Sequence, residues 1–142
     1  METLIEATIS FLSLQAEAGA ECLMLFDSWA GVVPAAHRDW LIIKPTKEIV
    51  RGVRKNGHLQ PIIGFPRGFG DGLIRYAEES GVDAISLDHN VNPSWAAKNL
   101  PKNLPVQGNL DPLSLISAGE EMLRDIDFIL ETFHDRPHIF NL

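Results

Sequence analysis

The stretch Cys22-Leu-Met-Leu-Phe-Asp-Ser-Trp-Ala-Gly31 decides the fold. An unbroken apolar run, Cys22 to Phe26, is followed by Asp27 and Ser28, and the stretch then ends in small residues. A buried parallel strand has this pattern, because both of its faces are covered and its polar groups stand at its carboxyl end. The stretch therefore predicts such a strand, and α/β proteins place functional residues at these ends.

The same arrangement occurs again farther along the chain. Residues 77–83 resemble residues 16–21, and each segment precedes an apolar run that ends in an aspartate, Asp88 in the second case. Further strands are predicted at 59–65, 84–87, 104–107 and 138–142. Because helices are predicted between them, the pattern indicates a parallel sheet with helical crossovers.

Residues 2–18 are predicted to form the first helix, with apolar side chains in two stripes. One stripe contains Ile5, Ile9, Leu12 and Ala16, and the other contains Ala7, Phe11, Leu14 and Ala18. Two stripes indicate that the helix is buried on more than one side.

Several local signals predict where other helices begin. Asn92 and Asp111 each precede a proline, which is the pattern of a helix cap followed by the first helical residue. Ser117 and Glu120 have the spacing of a capping box. Pro45 is expected to interrupt the helical region between residues 40 and 55.

Length and composition indicate one domain over residues 1–142, because the chain has 45% hydrophobic and 22% charged residues. No apolar run approaches the length of a membrane span, and the start lacks the pattern of a signal peptide, so we expect a cytoplasmic protein. The net charge of −7, with 12 scattered Lys and Arg residues, argues against nucleic-acid binding. The single cysteine, Cys22, is expected to be a small core residue.

Five predicted strands are too few for a complete (β/α)₈ barrel, which typically needs about 250 residues. The residues alone therefore leave two architectures open. The chain is either a small open α/β domain or part of a larger barrel.

Four segments, taken in order, closely resemble the uroporphyrinogen decarboxylase family. They are residues 26–31, 81–88, 107–112 and 138–142, and the likeness covers essentially the whole chain. The resemblance implies a partial (β/α)₈ TIM barrel of about five parallel strands, formed by a carboxyl-half fragment. It further implies decarboxylation of the four acetate side chains of uroporphyrinogen III to give coproporphyrinogen III, no metal or organic cofactor, and a homodimer at full length.

The resemblance also implies which residues contact the substrate. Ser28 corresponds to a serine or threonine that contacts the tetrapyrrole, and Phe26 to an aromatic residue that lines the cleft. The family's central aspartate, which stabilises positive charge on the pyrrole, is expected to lie outside this chain, so no catalytic residue is assigned and the fragment alone is predicted to be inactive. Arg67 is a candidate contact for a substrate carboxylate, with a solvated loop cation as the alternative.

Other residues that could form a site have simpler interpretations. Asp27, Asp88, Asn109 and Asp111 follow strands and could hold Mg²⁺, but each also suits a helix cap or a loop hydrogen bond. Gly68, Gly70 and Gly72 lack the spacing of a dinucleotide-binding loop and indicate a tight turn. Trp29, Trp40 and Trp95 are expected to be packing residues.

The histidines show no metal-ligand spacing, and the predicted strand at 62–65 lacks the His-x-Cys pair of related zinc-dependent methyltransferases. A methyltransferase or lyase of the same barrel superfamily is therefore a weaker alternative. A non-catalytic interaction fragment is the other alternative, because a partial barrel exposes sheet edges that can pair with a partner.

Overall fold

A computed structural model describes all 142 residues, and a five-stranded parallel sheet lies at its centre. The strands are β1 (Leu23–Asp27), β2 (Ile62–Pro66), β3 (Ala84–Ser86), β4 (Val106–Gln107) and β5 (His138–Ile139). Each strand pairs in parallel with the next one in sequence, and β1 and β5 form the two open edges. The predicted α/β fold with about five parallel strands is confirmed, and the unclosed sheet agrees with a partial barrel.

One helix precedes β1, and the other helices connect consecutive strands. The helices are α1 (Glu2–Glu17), α2 (Lys44–Lys55), α3 (Gly72–Glu79), α4 (Pro93–Asn99), α5 (Pro112–Ser117) and α6 (Glu120–Thr132). Two short 3₁₀ turns, Ala30–Val32 and Ala35–His37, lie between β1 and α2. None of the helices combines the length and apolar character that crossing a bilayer requires.

The two faces of the sheet differ in their surroundings. Leu23, Ile62, Ile85 and Val106 are almost completely buried and belong to the main apolar cluster, together with residues of the helices. Because successive side chains of a strand alternate between faces, Met24 and Phe26 lie on the opposite face, in register with Ile63 and Phe65. Phe26 is 67% exposed there, so the edge of this face lacks a covering layer.

Helix α1 buries only one of its two apolar stripes. Ile5, Leu12 and Ala16 are buried, whereas Phe11 and Leu14 are both 61% exposed. The expectation that α1 is covered on more than one side is therefore wrong for this structure, because α2 and the sheet contact the same half of the helix.

The chain does not break at Pro45. A π-helical turn, Asp39–Ile43, continues directly into α2, and Pro45 takes a position in the first turn of that helix. Proline is tolerated there because an N–H group at that position has no partner within the helix.

The predicted capping box is also wrong, whereas the two Asx caps are confirmed. Ala118 and Gly119 have positive φ angles and separate α5 from α6, so the Ser117 hydroxyl donates to the carbonyl of Ser114 instead of capping α6. Asn92 Oδ1 accepts the backbone N–H of Trp95, and Asp111 Oδ1 accepts that of Leu113, as expected.

Cys22 is exposed and immediately precedes β1, so its predicted role as a core residue is wrong. The strand begins at Leu23, whose N–H donates to the carbonyl of Pro61 and whose side chain is buried.

Candidate functional site

The loops that follow β1 and β2 lie against each other at the carboxyl edge of the sheet. The N–H of Arg67 donates to the carbonyl of Asp27 at 3.1 Å, and the N–H of Gly31 donates to the carbonyl of Arg67 at 2.9 Å. These two hydrogen bonds extend the contact between β1 and β2 beyond the strands. They fix the backbone on both sides of Ser28 and at Arg67.

Glycine at position 31 allows the two loops to lie this close together. A Cβ atom at Gly31 would lie 2.5 Å from the carbonyl oxygen of Gly68 and 2.8 Å from its carbonyl carbon, so only a residue without a side chain fits. Gly68 and Gly70 have φ angles of +71° and +58°, which glycine adopts readily. The structure thus supports the tight-turn interpretation of the segment that begins at Arg67.

A shallow pocket, wide open to solvent, lies between the two loops. It is lined by Ser28, Trp29, Gly31, Val32, Arg67 and Gly68. The structure therefore brings together Ser28 and Arg67, which are separate in sequence. The pocket offers a hydroxyl group, a guanidinium group and an indole, a combination that suits a carboxylate carried on an apolar group.

Both polar groups of this pocket are available to a ligand. Ser28 and Arg67 are exposed, and Arg67 takes part in none of the ion pairs of the structure. Trp29 is 74% exposed, so its expected packing role is not fulfilled within this chain. Its exposure gives the pocket an apolar wall, at a residue for which sequence reasoning predicted a core or dimer contact.

Phe26 lies beside this pocket rather than in its lining. Its ring is on the less covered face of the sheet and meets Phe65 edge to face, with 6.0 Å between the ring centroids. The two rings form an apolar surface just below the carboxyl edge. A ligand held at the pocket by Arg67 could extend onto this surface.

Asp88 holds the second of these loops in place. It is buried, and its two carboxylate oxygens accept the backbone N–H groups of Gly68 at 2.8 Å and of Asn90 at 3.0 Å. The prediction that Asp88 hydrogen-bonds neighbouring loop amides is confirmed. Because Gly68 directly follows Arg67, the carboxylate of Asp88 also limits how far the Arg67 backbone can move.

Asn109 makes a similar connection one strand farther along. Its amide nitrogen donates to the carbonyl of Asp88 at 2.9 Å and to that of Val91 at 2.7 Å, and the side chain is buried. Sequence reasoning missed this bridge. The only signal was the position of Asn109 at a strand end, which does not reveal a partner about twenty residues away.

Asp27 points away from the pocket. It shares a sheet face with Leu23 and Leu25, because alternate residues of β1 lie on the same side. Burial raises the pKa of its carboxyl group, and the backbone amides of Trp29 and Ala30 act in the opposite direction. Its carboxylate thus lies toward the helices.

The candidate magnesium set is not assembled. The Asp88 and Asp111 carboxylates accept backbone N–H groups of different loops, Asn109 uses its amide nitrogen, and Asp27 faces the helices. No group of three or more His, Cys, Asp or Glu side chains is close enough together to hold a metal ion.

A second cavity adjoins the pocket and differs from it in charge. Its volume is about 320 Å³, and it is lined by Gly68, Gly70, Asp71, Asp88, Asn90, Val91, Asn92 and Trp95. No lysine, arginine or histidine lines it, so it does not suit a carboxylate. Sequence reasoning did not predict this cavity, because its walls come from two loops that meet only in the fold.

Comparison with known proteins identifies the family to which the chain is similar. The sequence model of the family described as uroporphyrinogen decarboxylase matches residues 1–142. The proteins of that name from Novosphingobium aromaticivorans and Rhizorhabdus wittichii are each 49% identical to the chain over 143 residues, and that from Sphingopyxis alaskensis is 48% identical over 142 residues. All three alignments cover 100% of this chain.

The chain spans about two fifths of the length of these relatives, 42%, 41% and 42% respectively. The comparisons assign the matched stretch to the amino-terminal part of the relatives, which contradicts the predicted position in the carboxyl-terminal part. The resemblance to the family itself, made from four short segments, is confirmed over the whole chain.

Proposed function

Because the chain belongs to the uroporphyrinogen decarboxylase family, we propose that it supplies part of an enzyme that converts uroporphyrinogen III to coproporphyrinogen III. The observation that supports this proposal is the pocket between the β1 and β2 loops, where Ser28 and Arg67 face the same space. Uroporphyrinogen carries acetate side chains on a large apolar macrocycle. The pocket and the neighbouring aromatic surface offer both kinds of contact.

Each residue has a distinct role in this proposal. Arg67 pairs with a substrate carboxylate, and its planar guanidinium can donate two parallel hydrogen bonds to the two oxygens. The Ser28 hydroxyl donates to the same or a neighbouring carboxylate. Phe26 contacts the macrocycle through its exposed ring. All three residues position the substrate, and none of them has to transfer a proton.

The chemical step has a further requirement. Decarboxylation here proceeds by protonation of a pyrrole carbon and loss of carbon dioxide, so positive charge develops on the pyrrole and must be stabilised by a fixed negative group. The pocket lining contains no carboxylate, since its six residues are Ser, Trp, Gly, Val, Arg and Gly. We therefore expect the 142 residues alone to bind the substrate weakly and to give no turnover.

The proposal is tested with a chimera in which residues 1–142 replace the matched stretch of the Novosphingobium aromaticivorans relative, which is 49% identical. Coproporphyrinogen formation is followed by chromatography after oxidation to the porphyrins. We expect the chimera to decarboxylate uroporphyrinogen III and the isolated chain to remain at the level of the buffer blank. A chimera that folds, as judged by circular dichroism, but is inactive would contradict the proposal.

The roles of the residues are tested in the same chimera. Arg67→Gln removes a charge-assisted contact of about 1.5–3 kcal/mol, so KM should rise by about tenfold to a hundredfold. Arg51→Gln is the matched control, because Arg51 is an exposed residue of α2 away from the strand ends. Equal KM values for the two variants would remove Arg67 from the site.

We further propose that the complete enzyme is a cytoplasmic homodimer that uses neither a metal nor an organic cofactor, as the resemblance implies. Sedimentation velocity on the chimera tests the dimer, and a sedimentation coefficient of a monomer at micromolar concentration would contradict it. Dialysis against a chelator tests the metal requirement, with unchanged activity as the expected result.

A further inference from the structure

Two carboxylates without a cationic partner line a cavity between helix α6 and the loops that follow β3 and β4. The cavity has a volume of about 200 Å³, and Asn109, Asp111, Asp125 and Phe128 contribute to its lining. We call it the Asp111–Asp125 cavity. It shares no residue with the pocket that contains Arg67, and no lysine or arginine lines it.

The buried amide group of Asn109 is satisfied on one side only. Its nitrogen donates to the carbonyls of Asp88 at 2.9 Å and Val91 at 2.7 Å, which fixes the orientation of the amide. Its oxygen, Oδ1, is buried and has no hydrogen-bond partner in the chain, and the residue is only 4% exposed. Because a buried acceptor without a partner is unfavourable, we expect an N–H or O–H donor at this wall of the cavity.

The two carboxylates add negative charge and further acceptors. Asp111 Oδ1 accepts the backbone N–H of Leu113 at 2.9 Å, and Asp125 Oδ2 accepts the hydroxyl of Ser114 at 3.3 Å. The second oxygen of each carboxylate has no partner in the chain, and neither residue takes part in an ion pair. The cavity therefore favours a ligand that is positively charged and carries several hydrogen-bond donors.

These groups suit a guanidinium group better than a metal ion. No group of three or more His, Cys, Asp or Glu side chains is close enough together to hold a metal. A guanidinium group is planar and has five N–H donors, so it can reach acceptors that lie apart from one another. It also stacks on aromatic rings, and Phe128, which is 47% exposed, supplies such a ring in the lining.

We propose that the Asp111–Asp125 cavity binds a guanidinium group carried on an apolar chain. Asn109 Oδ1 and the free oxygens of Asp111 and Asp125 accept its N–H groups, and the ring of Phe128 packs against its plane. The apolar chain lies against the buried Ile129. A free small molecule and an arginine side chain from the rest of the complete enzyme present the same chemistry, and the experiments below distinguish these two sources.

The chemistry of the ligand is tested with n-butylguanidinium and with n-butylurea, which has nearly the same shape but no charge. Both are titrated into the 142-residue chain at pH 8 and followed by ¹H–¹⁵N correlation spectra. We expect saturable binding of n-butylguanidinium, at least tenfold weaker binding of n-butylurea, and a shift of the Asn109 side-chain amide signals. Equal affinities, no saturable binding, or an unchanged Asn109 signal would overturn the proposal.

Variants of the chain test the location. The double variant Asp111→Asn and Asp125→Asn removes both charges, and it should retain the start of α5 because asparagine is also a good helix cap. It should weaken binding of n-butylguanidinium at least tenfold. The matched control, Glu121→Gln and Asp127→Asn, changes the net charge equally at two exposed residues of α6 outside the lining, and it should leave binding unchanged. Equal weakening by both variants would overturn the assignment to this cavity.

The source of the guanidinium group is tested in the chimera described above. If a free small molecule binds the cavity, n-butylguanidinium should bind the chimera as tightly as the isolated chain. If an arginine of the complete enzyme occupies it, the probe should not bind, and Asp111→Asn with Asp125→Asn should lower the Tm of the chimera more than the control pair does. A folded chimera that shows neither result would overturn the proposal. These measurements do not depend on decarboxylase activity, so their failure is distinguishable from failure of the proposed function.

Discussion

Replacing Gly31 by alanine should separate the two loops that form the pocket. The added Cβ would lie 2.5 Å from the carbonyl oxygen of Gly68, and all three of its nearest atoms belong to the backbone, so no side chain can turn away. Ordinary van der Waals contact begins at about 3.4 Å, so the loops must move apart by about 0.9 Å. That shift would lengthen the hydrogen bond from Gly31 to Arg67, now 2.9 Å, beyond its normal range.

The loss of stability follows from the steric clash and from the lengthened hydrogen bond. Overpacking against a rigid neighbour costs about 1–3 kcal/mol, and loss of a backbone hydrogen bond adds about 1 kcal/mol. We therefore expect Gly31→Ala to lower the free energy of unfolding by about 2–4 kcal/mol, a large part of the 5–15 kcal/mol typical of a domain. In the chimera, KM should rise as well, since Arg67 moves with its loop.

Gly57→Ala is the matched control for this experiment. Gly57 has a φ angle of +90° but no atom within 4 Å of the added Cβ, so its replacement costs about 1 kcal/mol through backbone strain alone. Urea unfolding followed by circular dichroism gives both values. If Gly31→Ala destabilises the chain no more than Gly57→Ala, or leaves KM unchanged, the loops are not held by the contact described here.

Three further predictions concern the core and the loops. Burial raises the pKa of Tyr76, the only tyrosine, to about 12. The usual pKa of tyrosine in an unfolded chain is about 10, so the contribution of the buried phenol to stability is complete below pH 10. About 3 kcal/mol of the free energy of unfolding is lost as the pH rises to 12. Urea unfolding between pH 9 and 11.5 should show this loss, and Tyr76→Phe should flatten it. Asp88→Asn places an amide N–H₂ against a backbone N–H and should cost about 1–3 kcal/mol in urea, whereas no change would mean that the hydrogen bonds to the two loop amides contribute nothing. Leu12 is buried, so Leu12→Ala should lower the free energy of unfolding by about 2–5 kcal/mol. Leu14 is exposed, so Leu14→Ala should lower it by less than about 0.5 kcal/mol. Similar values for the two variants would contradict the orientation of α1.

The strands could be predicted because their sequences carry the signal locally. The run before Asp27 is apolar without interruption and forms β1, although Phe26 is 67% exposed on a face expected to be covered, and the same pattern ends at Asp88. The observed strands are shorter than predicted at the other positions, with β4 limited to Val106–Gln107. Single backbone hydrogen bonds still join the neighbouring segments beyond β4 and β5, from Gly108 N–H to the carbonyl of Ile139 at 2.9 Å and from Leu110 N–H to that of Asn141 at 3.1 Å, but the regular pairing that defines a strand ends earlier.

The predictions of two helix boundaries are wrong because a local sequence pattern competes with contacts that the sequence does not show. Ser117 and Glu120 have capping-box spacing, but the positive φ angles of Ala118 and Gly119 leave the serine facing the preceding helix. Pro45 was expected to break a helix, but a π-helical turn precedes it and places it where its missing N–H is harmless.

The candidate site could be predicted only in part for a related reason. Ser28 was recognised by its place after a strand, and Arg67 by its place beside a turn, but their meeting depends on the contact between Gly31 and Gly68. A glycine in a sequence indicates conformational freedom, but the sequence does not show which backbone segment lies against that glycine. The bridging roles of Asp88 and Asn109 were hidden in the same way, since their partners lie on other loops.

The two adjacent cavities at the carboxyl edge of the sheet bear on how the proposed enzyme would attract a substrate that carries carboxylates although the chain is acidic. The net charge is −7, so such a substrate is repelled at long range unless a local cation attracts it. The pocket with Arg67 contains a cation without a partner in the chain, whereas the neighbouring cavity contains Asp71 and Asp88 and no cation. Both are lined by Gly68, but in the neighbouring cavity Asp71 pairs with Arg38 at 3.1 Å and Asp88 accepts two backbone N–H groups, so the unpaired charge at these two cavities is that of Arg67. Under the proposed function, a substrate carboxylate is therefore attracted to the Arg67 side of this loop, and Arg67→Gln should weaken its binding.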